Sequence, residues 1–171
     1  MEAGIQRHAA VFVVRPDGKR PFVSFGWAGF SSVLTGVNDA QISVGQIGAE
    51  TADVTFAGEP MAFLIRRILE EAGTVDEAAA LVLRARRTGG INYIVADAKT
   101  RRAVAIETTR SHARVFEAND PAEQSVSYAR PVADAVFRAD TAIDQTIRER
   151  QIASGGRPDQ PGLEPPSGSA Y

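Results

Sequence analysis

The hydrophobic residues of this chain change their spacing twice, and this change constrains the fold more than any single motif does. Between Pro60 and Arg87 they recur every three to four positions, as in amphipathic helices. On both sides of this stretch they alternate with polar residues or form short β-branched runs, as strands do. Strands before and after a helical pair predict an antiparallel sheet with helices packed on a face, which is a layered α+β fold.

The strands before the helical pair are predicted to form hairpins, because turn-forming residues separate them. Pro16-Asp17-Gly18 divides the first two runs. In the second pair, residues 36–39 are the predicted turn between Val33-Leu34 and a strand over 42–47. A further short strand is predicted over 51–56, where apolar and polar residues alternate.

The helical pair has its own start and stop signals. The first helix is predicted to end at Gly73, and Thr74 with Glu77 forms a capping-box pattern that begins the second. This second helix is predicted to run to about Arg87. The basic residues Arg84, Arg86 and Arg87 at its end are interpreted as a solvated helix end rather than a phosphate site. Two helices joined so closely are expected to lie antiparallel and side by side.

After Gly89-Gly90 the strand spacing returns. The runs 91–98, 103–109 and 112–118 are separated by tight turns and predict a three-stranded meander. A last helix is predicted over 141–153. Residues 154–171 are rich in proline and glycine and are predicted to form a loop or arm, so the domain is expected to span 1–153.

Composition excludes several classes of function. The chain has 171 residues, a net charge of −2 and no cysteine, so neither a basic nucleic-acid surface nor a cysteine nucleophile or disulfide is available within it. It lacks a signal-peptide core and any apolar run of membrane-spanning length, which predicts a cytoplasmic protein without a membrane partner. No phosphate loop, dinucleotide motif or HExxH motif is present, and His8 and His112 are far apart, so no cofactor and no metal are expected.

Two asparagines beside glycines are the remaining polar candidates. Asn38 is interpreted as a turn residue, since asparagine tolerates the left-handed conformation. Asn92 opens an apolar strand directly after Gly89-Gly90 and Ile91. Its amide must either bond locally to the chain entry or point into a cleft, and the residues alone leave both interpretations open.

The stretch TVDEAAALVLRARRTGGINYIVADAKTRRAVAIETT, residues 74–109, resembles the C45-type autoproteolytic hydrolases and acyltransferases. This family has a capped helix, then Gly-Gly-x-Asn-Tyr/Phe, an apolar strand ending in Ala-Asp, and a strand closing in Ile/Val-Glu-Thr. GVNDAQISVGQIG, residues 36–48, is similar to the family's Gly-Met/Leu-Asn-Glu-x-Gly-Leu hairpin. The family includes enzymes like acyl-coenzyme A:6-aminopenicillanic acid acyltransferase and belongs to the N-terminal-nucleophile hydrolases.

The resemblance implies a partial αββα sandwich with antiparallel sheets and helices on the outer faces. It also implies acyl transfer from a linear amide or thioester to an N-terminal cysteine, with the α-amine of that cysteine as the base. Three residues are expected to bind substrate: Gly48, Asn92 and Asp140. Asp140 falls where the family has the asparagine of a Thr-Asn-His segment, so a carboxylate stands where an oxyanion donor is needed.

Because the nucleophile is absent, the chain is expected to be an inactive fragment truncated at both ends. Two alternatives stay open: a non-catalytic ligand-binding pseudo-enzyme, and a small α+β interaction domain. Unpaired sheet edges would allow a homo-oligomer. The identity of the acyl substrate is not predicted.

Overall fold

The computed structural model describes residues 4–151. The strands are β1 (Ala9–Val14), β2 (Phe22–Trp27), β3 (Thr35–Asn38), β4 (Ile42–Gly48), β5 (Ile91–Asp97), β6 (Arg102–Thr108) and β7 (Ala113–Glu117). The helices are α1 (Met61–Glu71), α2 (Val75–Arg84) and the short α3 (Gln145–Arg148), with 3-10 turns over Ile5–His8 and Pro121–Ser125. The seven strands form one antiparallel sheet in chain order. The predicted α+β class is confirmed, whereas the predicted arm over 154–171 lies outside the described residues.

One face of the sheet carries the helical layer. The apolar stripes of α1 and α2 are fully or almost fully buried, and they pack with sheet residues such as Ile42, Tyr93 and Val95 into one core. The predicted capping box is present: the Thr74 hydroxyl accepts from the Glu77 amide at 3.1 Å, and the Glu77 carboxylate accepts from the Gly73 amide at 2.7 Å. Of the four layers of an αββα sandwich, the described residues form one sheet and one helical layer.

The opposite face of the sheet is covered only in part. The segment after β7 packs over β5 to β7 around Ala105, Phe116 and Ile143. Over β1 to β4 the same face presents large apolar side chains that are 40% to 62% exposed: Val11, Val13, Phe25, Val37 and Ile47. The strand register places these side chains on one continuous surface, here called the open face.

The predicted position of the second hairpin turn is wrong. Gly36, Val37 and Asn38 belong to β3, and the turn follows them, with Gln41 in the left-handed region at a φ of 62°. Asn38 is buried because its side chain joins the hairpin to the end of α1. Its amide nitrogen donates to the carbonyls of Leu69 and Ala72 at 3.0 and 2.7 Å, and its amide oxygen accepts from the Ile42 amide at 3.0 Å.

The interpretation of Arg87 as part of a solvated helix end is also wrong. Helix α2 ends at Arg84, and Arg87 is only 6% exposed. Its guanidinium donates to the Val82 carbonyl in the last turn of α2 at 2.6 Å and to the Thr109 carbonyl after β6 at 2.9 Å. The arginine therefore satisfies helix-end carbonyls and ties the helical layer to the sheet.

Two further predicted elements differ from the structure. Residues 51–56 form no strand, because Val54 and Phe56 both project away from the core and only Thr51 makes an isolated bridge, to Gln151. Within the described part of the predicted helix over 141–153, only Gln145–Arg148 is helical. The helix begins late because Asp144 is its N-cap, with the carboxylate accepting from the Ile147 amide at 3.0 Å.

Candidate functional site

Asn92 lies on β5, on the sheet face opposite the helices, and its side chain is almost fully buried. Its amide nitrogen donates to the main-chain carbonyl of Ala139 at 2.8 Å. Its amide oxygen is buried and has no hydrogen-bond partner among the described residues. The structure therefore links Asn92 to the segment around Asp140, which is 47 residues away along the chain. The Asn92 amide nitrogen therefore does not cap the nearby chain entry, and it is not left free to donate to a ligand.

Glu107 is the direct cross-strand neighbour of Asn92 on β6 and is completely buried. Its carboxylate accepts from the main-chain amides of Ile143, at 2.9 and 3.0 Å, and Asp144, at 2.8 Å. Burial raises the pKa of the Glu107 carboxyl, and this effect outweighs the two amides and the Arg138 charge, which favour the ionised form. Glu107 thus fixes the chain on the far side of Asp140, as Asn92 fixes it on the near side.

Arg138 completes this buried polar cluster. Its side chain is 1% exposed, with Nε 2.8 Å from a Glu107 carboxylate oxygen and Nη1 2.8 Å from a Glu123 oxygen. The Nε contact is an ion pair without the alignment of a hydrogen bond, and Nη2 has no partner among the described residues. The guanidinium also stacks over the Phe116 ring, 4.3 Å from its centroid. We call Asn92, Glu107, Glu123 and Arg138 the buried polar cluster.

The three residues predicted to bind substrate lie near one end of the sheet, but their side chains do not converge. Gly48 ends β4 opposite Ile91, one position from the Ile47–Asn92 pair. Asp140 is exposed, and its main-chain carbonyl accepts from the Gln151 side chain at 2.6 Å. Asn92 contacts the residue before Asp140 and not its carboxylate. The structure therefore does not bring the three side chains together. It holds the main chain of 139–144 against β5 and β6, through Asn92 and Glu107.

Glu107, Glu123 and Arg138 were not predicted as site residues. One signal was present: Glu107 interrupts the apolar run AVAIETT, and a charged residue in a buried strand must be paired. Its partners could not be named, because the main-chain amides it binds are 36 and 37 residues further along the chain.

The cluster can position a main-chain segment and keep charged groups buried. It contains no cysteine that could act as a nucleophile. Among residues 4–151, no group of three or more histidine or acidic side chains is arranged to hold a metal ion. In the same part of the chain, none of the helices has the length and apolar character that crossing a membrane requires.

Residues 48–130 match the family described as acyl-coenzyme A:6-aminopenicillanic acid acyl-transferase. The sequence is also 26% identical over 156 residues to protein dcd1A of Dictyostelium discoideum, a match that includes 84% of this chain and 34% of that protein. The resemblance predicted from the motifs of residues 36–48 and 74–109 is therefore confirmed.

Solved structures agree on the fold. A Caenorhabditis elegans ortholog of N-acylethanolamine-hydrolyzing acid amidase is similar with a TM-score of 0.57 and 24% identity, over 67% of this chain and 53% of that one. A variant of the conjugated bile acid hydrolase of Clostridium perfringens is similar with a TM-score of 0.53 and 12% identity, over 66% and 44% of the two chains. The fold is that of the N-terminal-nucleophile hydrolases. The chain spans about a third of the length of the dcd1A relative and about half of the amidase ortholog.

Proposed function

We propose, from the match of residues 48–130 to the acyltransferase family, that this chain is part of an acyl-transferring amidohydrolase. Its substrate would be a small molecule with a linear amide or thioester bond. The N-terminal-nucleophile hydrolase fold supports the same class of reaction, because that fold carries the family's chemistry. The family match is the observation on which the proposal depends.

The reaction has two steps. A cysteine thiolate attacks the carbonyl carbon, the C–N or C–S bond breaks, and the leaving group takes a proton as the acyl-enzyme forms. Water then attacks the thioester and releases the acid, or an amine attacks it and receives the acyl group. These 171 residues contain no cysteine, so the nucleophile must come from outside them.

The described residues would contribute position rather than bond-breaking groups. Asn92 and Glu107 hold the main chain of 139–144 at three points, through one carbonyl and two amides. An oxyanion needs donors held in place before the reaction. The carboxylate of Asp140 would repel such a charge, so we propose that Asp140 does not serve as the donor and that the chain by itself turns nothing over.

The open face supports the proposal that this chain is a fragment of a larger enzyme. Contiguous apolar side chains on one face of a sheet are normally buried against another layer. In an αββα sandwich that layer is a second sheet. We propose that the second sheet covers Val11, Val13, Phe25, Val37 and Ile47. The cytoplasmic location and a homo-oligomer through sheet edges stay predictions.

The test compares two proteins in one assay. One is the 171-residue chain, and the other is the product of the same DNA extended in frame on both sides. Each is incubated with an N-acyl amide and analysed by intact mass and by release of the amine. We expect an acyl adduct on a cysteine and amine release from the extended protein, and neither from the 171-residue chain.

A different result would favour the alternatives. If the flanking DNA encodes no cysteine in frame, the fragment proposal fails. The purified chain would then be a candidate ligand-binding pseudo-enzyme, for which the absence of cysteine and the carboxylate at Asp140 are the favouring observations. If neither protein binds or cleaves an acyl amide, an interaction domain is the remaining candidate.

A further inference from the structure

An open groove of about 550 Å³ lies in the helical layer, between the middle of α1 and the last turn of α2. Its third wall is the segment 57–59, which precedes α1. Arg67 reaches the groove from α1, whereas Arg84 and Arg86 come from the end of α2 and the residues after it. Because the helices cover the sheet face opposite Asn92, this groove is separate from the site described above.

The groove concentrates positive charge, although the whole chain carries a net charge of −2. Three arginines line it against one acidic residue, Glu59, which leaves an excess of two positive charges. Glu59 pairs with Nη2 of Arg67 at 2.7 Å. Among residues 4–151, the exposed side chains of Arg84 and Arg86 have no carboxylate within ion-pair distance. Such a place attracts anions, and it attracts two negative charges more strongly than one.

Arg67 also has a donor without an acceptor. Its Nε–H group is buried and makes no hydrogen bond with the described residues. Glu59 binds only Nη2, so the carboxylate does not occupy the whole guanidinium. A guanidinium presents its donors in a fork that matches the oxygens of phosphate. Because Nε has no bond to lose, the guanidinium can turn toward an acceptor that enters the groove.

Main-chain contacts fix two walls of the groove to each other. The Glu59 amide donates to the Arg86 carbonyl at 2.7 Å, and residue 59 forms an isolated parallel bridge with Arg87. A side chain at Gly58 would overlap the Arg86 carbonyl, so the two segments approach as closely as glycine allows. The main chain that carries Arg86 is therefore held before a ligand arrives, which reduces the ordering that binding costs.

The groove has room for more than a phosphate group, and part of its wall is apolar. Leu81 and Ala85 lie on the same side of α2 as Arg84, because residues three and four apart share a helix face. Ala57 adds a further apolar surface from the segment before α1. An organic group attached to the phosphate would contact these side chains. The volume also falls within the range of about 300–1,000 Å³ that is typical of small-molecule sites.

We propose that this groove binds a small phosphate monoester, with the phosphate oxygens between Arg67, Arg84 and Arg86 and the organic group against Leu81. The contribution of Arg67 from a second helix separates this site from the solvated helix end that the sequence indicated. The concave shape favours a small molecule over a membrane surface, which contacts protruding side chains. The inference goes beyond the proposed function, because neither the ligand nor the groove takes part in acyl transfer.

The test titrates the purified 171-residue chain at pH 8 and constant ionic strength with phenyl phosphate, phenyl sulfate and inorganic phosphate. The second pKa of a phosphate ester is about 6, so phenyl phosphate carries two charges where phenyl sulfate carries one. One further ion pair at an exposed site is worth up to about fivefold in affinity. We expect phenyl phosphate to bind about fivefold more tightly than either other anion, and to shift the backbone amide resonances of 57–59 and 84–86.

Arginine variants test the location. Arg84→Gln removes one charge from the groove, and the double variant with Arg86→Gln removes two. Both side chains are exposed, so the variants should fold. The matched control is Arg66→Gln, which removes one charge from the same helical layer at a residue that pairs with Glu70 and does not line the groove. We expect phenyl phosphate to bind about fivefold more weakly to Arg84→Gln, at least about tenfold more weakly to the double variant, and within twofold to the control.

Four results would overturn the inference. They are the absence of phenyl phosphate binding, equal affinities for phenyl phosphate and phenyl sulfate, amide shifts at other residues in place of 57–59 and 84–86, and equal weakening in Arg84→Gln and Arg66→Gln. The last would indicate a diffuse charge effect. Sedimentation with vesicles of equal parts phosphatidylcholine and phosphatidylserine tests the membrane alternative. Vesicle binding that Arg84→Gln abolishes, without binding of phenyl phosphate, would identify a lipid surface instead.

Discussion

Replacing Glu107 by glutamine keeps the size of a completely buried side chain and removes its charge. The carboxylate accepts from the amides of Ile143 and Asp144, and it is the ion-pair partner of the Arg138 Nε. In the variant, one of the two oxygens becomes a donor group that faces other donors. Glu107→Gln therefore weakens the contacts that Glu107 makes with 138–144, while the bond from Asn92 to the Ala139 carbonyl stays in place.

The magnitude follows from these contacts. A hydrogen bond to a charged group contributes about 1 kcal/mol more than a neutral one, so the two amides lose about 2 kcal/mol together. Breaking a buried ion pair costs about 3–5 kcal/mol, but Arg138 keeps Glu123 at 2.8 Å, so we take about 1–2 kcal/mol. Against this, a neutral side chain is easier to bury, as the raised pKa of Glu107 indicates. Because this effect of burial outweighs the contacts of the charge, the net loss of about 1–3 kcal/mol comes from the glutamine NH2 group, which faces the amides of Ile143 and Asp144 and leaves one of them without an acceptor.

The assay is urea unfolding at neutral pH, with Glu117→Gln as the matched control. Glu117 is the same residue type on the adjacent strand β7, paired with Arg102, but its side chain is 53% exposed. Exposed pairs contribute about 0–1 kcal/mol, so the control should lose little. Hydrogen exchange adds a local measurement: the amides of Ile143 and Asp144 should exchange faster in Glu107→Gln than in the control.

If Glu107→Gln loses no more free energy of unfolding than Glu117→Gln, the contacts of Glu107 do not stabilise the fold as described. A second contradicting result would be a destabilised variant whose Ile143 and Asp144 amides keep their wild-type exchange rates. In that case Glu107 would stabilise the sheet in general and would not hold the segment that carries Asp140.

Three other changes have expected outcomes. Asn38→Ala leaves two buried carbonyls and one buried amide without their partner and should cost about 2–4 kcal/mol in urea unfolding. Gly90→Ala should lower the free energy of unfolding by about 1–3 kcal/mol, because a Cβ there would clash with the Ala49 carbonyl. A Cβ at Gly48 would meet no other atom, so Gly48→Ala should be close to neutral in the same measurement. Burial raises the pKa of the Glu70 carboxyl, but its ion pairs with Arg66 and Lys19 outweigh burial, and the net pKa is lowered. The stability that Glu70 adds is therefore present above about pH 4.5 and is lost as the pH falls further. Glu70→Gln should reduce this acid-side loss in unfolding curves recorded from pH 5 to pH 3.

The periodic part of the fold could be predicted because its signal is local. Alternation and 3.6-residue spacing placed the first hairpin, the helical pair and the meander, and the Thr74–Glu77 capping box was predicted from four adjacent residues. The errors lie at the ends of helices, in the turn of the second hairpin and in residues 51–56, which form no strand. Helix α2 stops three residues before Arg87, because the Arg87 side chain turns back to its last carbonyls and across to Thr109.

The roles of buried polar residues could not be predicted, because their partners are distant along the chain. Asn38 bonds to carbonyls 31 and 34 residues away, and Glu107 bonds to amides 36 and 37 residues away. Asparagine after Gly-Val is equally compatible with a turn and with a buried link between a hairpin and a helix. Only the packing of α1 on β3 decides between them.

The candidate site lies at the border of the open face. Asn92 is 1% exposed and Ile47, directly opposite it on β4, is 41% exposed. The border between the covered and the open part of this sheet face therefore runs between these two residues. A second sheet packed on β1 to β4 would place its edge beside Asn92 and the main chain around Asp140. If a second sheet covers the open face as proposed, Ile47→Lys would place a charge inside that contact and should weaken its docking.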